Sequence, residues 1–139
     1  MKNIFETAIS CGEFLELLQN QKELSLLLYV SSGSVYERVE CVRTITWYPG
    51  TTFERTVLRL YGEDAIKTEP EFLWPSDRCP IMSGKAMIRY LTGEMKMTVS
   101  PEWPVLATTP DGKTFAVTKV QTLYLRPDNT WDFQAICLS

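Results

Sequence analysis

Two turn signals of one physical kind, Thr109-Pro110-Asp111-Gly112 and Arg126-Pro127-Asp128-Asn129, govern how the last third of this chain can fold. In each, proline presets φ at the first central position and glycine or asparagine then accepts φ > 0, which suits a tight β connection. The runs between and after them, Lys113 to Leu125 and Thr130 to Leu138, are rich in β-formers. With the stretch that begins at Val105 they predict a three-stranded antiparallel meander, against which the rest of the chain must pack. Phe115, Val117, Leu123 and Leu125 share one strand parity that Lys119 and Gln121 interrupt, so this long strand is expected to bend or bulge midway.

Upstream, Ser10-Cys11-Gly12-Glu13 has the spacing of a capping box, and Phe14, Leu15, Leu17 and Leu18 make one apolar face. A helix from Cys11 to about Gln21 follows. Leu24 to Val30, apolar apart from Ser25, is a run that suits a buried strand. Val35 to Tyr48 alternates, with Val35, Val39, Cys41, Ile45 and Trp47 on one parity and mostly polar residues on the other. Pro49-Gly50 ends that strand, and Phe53 to Tyr61 returns as its hairpin partner, with apolar residues on both faces. Ser83 offers an N-cap to a second helix over Gly84 to Thr92, with Met87, Tyr90 and Leu91 inward, Lys85 and Arg89 outward, and Gly93 as its stop. Met95 to Val99 reads as a further short strand. The fold expected over residues 1–139 is one α+β domain: a mainly antiparallel sheet of five or six strands, two short helices on one face, and the C-terminal three-stranded meander.

At 139 residues the chain fits one domain and has no need of disulfides to hold a core. Fourteen basic and seventeen acidic residues give a net charge of −3, spread along the chain, which argues against nucleic acid as a partner. Cys11, Cys41, Cys79 and Cys137 show no C-x-x-C spacing, and the chain contains no histidine. The common zinc sets that use histidine are thereby excluded, and neither a metal nor a cofactor is expected. The first residues lack the apolar core of a signal peptide, and no run is long enough to span a membrane. A cytoplasmic protein with reduced, mostly buried thiols is the expectation.

The absence of histidine also removes the usual Ser-His and Cys-His nucleophile pairs. Carboxylate pairs such as Glu69 with Glu71 and Glu63 with Asp64 lie in the proline-rich stretch from Gly62 to Pro80, where exposed charge is the simpler account. Ser83-Gly84-Lys85 at a helix start could attract an anion through free N–H groups and a nearby ammonium, or serve as a plain N-cap. Arg55, Arg59 and Tyr61 share a parity, and Arg43 lies on the neighbouring strand. These residues could clamp an acidic or planar ligand, or form cross-strand ion pairs with Glu37, Glu40 or Glu54. Phe72 and Trp74 beside prolines, and Trp103 between Glu102 and Pro104, are either anchors for a protein partner or lids over the core.

The first functional expectation is a small non-catalytic protein-binding module, an inhibitor or accessory factor, using Phe72, Trp74, Trp103 and a sheet face. The alternative is a small-molecule binding protein, or a lyase- or isomerase-like enzyme, holding an anionic ligand in a curved-sheet pocket through Arg43, Arg55, Arg59, Tyr61, Ser83 or Lys85. An unprotected sheet edge would also allow a homodimer.

Overall fold

Strand pairing in this protein runs in both senses, and that decides its shape. The structure, a computed structural model, describes residues 3–32, 35–47, 50–52, 54–62, 79–81, 83–94, 99–108, 114–125 and 133–139. Among them the strands are β1 (Leu28–Ser32), β2 (Val35–Trp47), β3 (Arg55–Gly62), β4 (Cys79–Pro80), β5 (Val105–Thr108), β6 (Thr114–Ala116), β7 (Val120–Leu125) and β8 (Phe133–Leu138). Helices α1 (Ile4–Thr7), α2 (Cys11–Gln19) and α3 (Gly84–Leu91) complete the described elements. The short α1 has no counterpart in the sequence expectation. Local chemistry accounts for the other two. Ser10 and Glu13 close a reciprocal capping box at the start of α2. The Ser83 hydroxyl accepts the Ala86 N–H at the start of α3, and Gly93 adopts φ 84 just past its end.

The sheet order is β6-β5-β3-β2-β1-β8-β7, with the two-residue β4 also paired to β2. The expected β2–β3 hairpin is present, Thr44 facing Leu58 and Trp47 facing Arg55. A mainly antiparallel sheet of five or six strands is not what forms. The seven-strand path is mixed, because β3 runs parallel to β5 and β1 runs parallel to β8. The C-terminal meander is likewise corrected. Antiparallel pairs β5–β6 and β7–β8 exist, but β6 and β7 lie at opposite ends of the sheet order. The long β run breaks at residues 117–119, where a bend or bulge was expected, and passes from one edge of the sheet to the other.

That crossing forces curvature. A flat seven-strand sheet would hold its edge strands about 29 Å apart at the usual strand spacing. Val117, Thr118 and Lys119 span at most about 14 Å. The sheet therefore curls into a half-barrel. Val117 is fully buried at the crossing, its N–H bonded to the Val105 carbonyl at 3.0 Å and its own carbonyl accepting from Ile9 at 2.9 Å. One main core fills the inner face, with Phe14 and Leu18 of α2 and Met87 and Tyr90 of α3 packed among Leu28, Val30, Val42, Leu58, Leu60, Val105 and Ile136.

The outer face of β2 and β3 differs from a simple alternation because β2 carries one extra residue between Val39, which faces Gly62, and Cys41, which faces Tyr61. The bulge at Glu40 exchanges the faces. Val39 and Val42 both join the main core, whereas Cys41 packs with Tyr61 and Ile45 on the far side. Val39 and Cys41, on one parity in the sequence, thus end on opposite faces. The bulged Glu40 carbonyl accepts the Ile81 N–H at 3.0 Å, which fixes the kink to the strand edge at β4.

Candidate functional site

With α2 and α3 filling the inner face, chemistry has to be sought on the outer one. At the end of the sheet formed by β2, β1, β8 and β7, strand alternation sends Leu28 and Val30 inward and Tyr29 outward. Tyr36, directly opposite Ser31, and Phe133 also point outward, and the three rings surround the buried Ala135 and Cys137. The Tyr29 and Phe133 rings lie 5.3 Å apart and tilted by 50°, a favourable aromatic arrangement. Arg38 stands opposite Tyr29 and is ion-paired with Glu40 at the rim. Leu123 of β7, facing Ala135, extends the patch and is 38% exposed. The Tyr29 phenol is held above its ordinary pKa, chiefly by burial, with Arg38 opposing and Cys137 adding to the shift. It is a neutral hydrogen-bonding group at physiological pH.

The second outer cluster spans β2, β3 and β5. Arg43 stands directly opposite Arg59, and Cys41 opposite Tyr61. Arg59 donates from Nε to Thr108 Oγ1 at 2.7 Å, and its guanidinium lies 4.8 Å from the Tyr61 ring centroid. Arg55 is not part of this group. Four residues along the strand it is displaced by about 13 Å, and its guanidinium sits 5.1 Å from the ring of Phe5 in α1. Arg43, Arg59 and Tyr61 therefore come together, on the outer face rather than in a concavity of the sheet.

Ser83 and Lys85 lie at the start of α3, and the N–H groups there are already engaged. Gly84 donates to the Leu26 carbonyl at 3.1 Å, Lys85 to that of Leu24 at 2.7 Å, and Ala86 to Ser83 Oγ at 3.1 Å. The Lys85 side chain is exposed. Helix-terminal donors that bind anions elsewhere are here spent on two of the chain's own carbonyls and the Ser83 hydroxyl. Glu40 is taken by Arg38, and Glu54 Oε1 accepts the Gly50 N–H at 3.3 Å. Glu37 points to the inner side, where it abuts Gly62.

Trp103 is half-buried against the main core, and its carbonyl accepts the Cys11 N–H at 2.8 Å. Phe72 and Trp74 lie outside the described residues, as does the carboxylate-rich stretch from Glu63 to Asp77. Burial pushes the Cys11 thiol up to about 12 and that of Cys137 up to about 11. Both are protonated at physiological pH and poor nucleophiles. Among the described residues no group of three or more His, Cys, Asp or Glu side chains could hold a metal ion, and no helix is long and apolar enough to cross a membrane.

Sequence reasoning placed none of Tyr29, Tyr36, Phe133 and Leu123 in a candidate site. The available signal was Tyr29, the one residue with a polar end inside the otherwise aliphatic run Leu26 to Val30. No protein-family model, curated protein or solved structure matches the chain.

Proposed function

We propose that the chain is a small non-catalytic protein-binding module, an inhibitor or accessory factor, whose contact surface is the outer face of β2, β1, β8 and β7. One observation carries this reading: Tyr29, Tyr36 and Phe133 are only half-buried on that face around Ala135, which the exposed Leu123 faces, with the Arg38–Glu40 pair at the rim. Aromatic residues framed by polar ones are the composition that dominates binding energy at protein interfaces. The alternative, an anionic small molecule, has in its favour the two arginines that face each other at Arg43 and Arg59.

Capture from native lysate separates a working surface from a merely apolar one when two baits are compared. The wild-type protein should retain a stoichiometric protein partner. A Tyr36→Ala/Phe133→Ala variant that still melts cooperatively should retain it at least about tenfold less well, given the usual cost of losing aromatic anchors. Equal capture by both baits, or none by either, would overturn the reading.

A further inference from the structure

We propose that β7 pairs with β7 of a second copy of this chain, antiparallel and about a two-fold axis at Leu123, joining two half-barrels through one continuous sheet. This pairing shares Leu123 with the contact surface proposed above and does not rest on it.

The two edges of the sheet are unlike. β6 has three residues, lies against α1, and continues into Val117, whose carbonyl is bonded to Ile9. β7 has six, Val-Gln-Thr-Leu-Tyr-Leu, with no charge, proline or glycine to discourage pairing. Among the described residues no strand pairs with its outer side. The exposed large apolar side chains of the described residues are both on this strand, Leu123 at 38% and Tyr124 at 72%.

Hydrogen-bond phase shows which backbone groups are on offer. Lys119 and Ser139 exchange both backbone bonds, at 2.8 and 3.1 Å, and the β7–β8 register continues from them. Antiparallel ladders alternate, so Gln121 and Leu123 bond to β8, while the N–H and C=O groups of Val120, Thr122 and Tyr124 point to the open edge. The Val120 carbonyl already accepts from Gln21 Nε2 at 3.5 Å. Thr122 and Tyr124 are left as the donor–acceptor pairs of the edge.

A two-fold axis at Leu123 satisfies all of them at once. Thr122 comes opposite the partner's Tyr124, and each exchanges N–H···O=C bonds with the other on both sides of the axis. Outer residues stay with outer residues, so Leu123 meets the partner's Leu123 in a close, non-hydrogen-bonded pair. Both chains carry a net charge of −3, yet no charged side chain of β7 meets another. A second copy is therefore a self-complementary occupant of this edge.

The register is read by disulfide trapping. Leu123→Cys places two thiols across the axis with Cα atoms about 4.5 Å apart, inside the range a disulfide bridges. Gln121→Cys, also at an exposed position, places them about 14 Å apart and serves as the control. Under mild oxidation Leu123→Cys should give a covalent species of twice the 15.9 kDa chain mass, and Gln121→Cys should not. By sedimentation the wild type should show a concentration-dependent dimer. Tyr124→Pro, which removes an edge-facing N–H without touching the β8 ladder, should be monomeric at the same concentration. A wild type that stays monomeric at millimolar concentration, equal trapping of both cysteine variants, or a dimer that survives Tyr124→Pro would overturn the proposal. Tyr36→Ala/Phe133→Ala should leave the dimer intact, so loss of partner capture and loss of pairing are distinguishable.

Discussion

Phe14→Ala should lower the free energy of unfolding by about 3–5 kcal/mol, the usual cost of removing a buried phenylalanine ring. Phe14 has no exposed surface and lies in the one main core, where α2 packs against the inner face of the sheet. The core it belongs to draws residues from strands of both halves of the sheet, Leu28 and Ile136 as well as Leu58 and Val105, and a close-packed core collapses only partly into a cavity. Against a total stability of about 5–15 kcal/mol, this is a large fraction. Urea denaturation monitored by tryptophan fluorescence and by far-UV circular dichroism should show one coincident transition at a markedly lower midpoint. A loss below about 1 kcal/mol would mean that the ring is not enclosed as described.

Gly62→Ala should be the most damaging of the single-methyl additions, at about 1–3 kcal/mol. Gly62 ends β3 opposite Val39, and a Cβ there would fall on the side chain of Glu37. Glu37 is only 7% exposed, so its carboxylate cannot step aside into solvent. The collision is specific to this pair and therefore separable by a double-mutant cycle. In a Glu37→Ala background, the added cost of Gly62→Ala should fall to within about 0.5 kcal/mol of zero. An undiminished penalty in that background would place the strain elsewhere.

Much of the local structure was legible in the sequence because its causes are local. Ser10 and Glu13 cap α2, Ser83 and Gly93 bound α3, and β2 returns through β3 as a hairpin. What the sequence concealed is non-local. Pairing of β1 with β8 and of β3 with β5 joins segments far apart in the chain, and no turn chemistry announces a parallel neighbour. The bulge at Glu40 reverses the parity of β2 midway, so Cys41 and Ile45 leave the face that Val39 occupies. The run through Val117 reads as one long strand, yet it serves both edges of the sheet.

The candidate site was hidden for the same reason. Tyr29, Tyr36 and Phe133 are ordinary β-forming residues; the antiparallel β1–β2 pair brings the two tyrosines together, and only the parallel β1–β8 pairing adds Phe133 to them. Arg43 and Arg59 were legible as a pair because a hairpin brings them together, whereas Arg55 was grouped with them on parity alone and lies near Phe5 instead. Trp103, conspicuous in the sequence beside prolines, is half-buried against the main core.

The central claim is that the outer face of β2, β1, β8 and β7 is where this protein meets its partner. Hydroxyl-radical footprinting of the free protein and of the captured complex, read residue by residue by mass spectrometry, tests it most directly. Tyr29, Tyr36 and Phe133 should lose most of their labelling in the complex while Trp103 keeps its own. Unchanged labelling at the three rings, with protection appearing at other residues, would contradict the account.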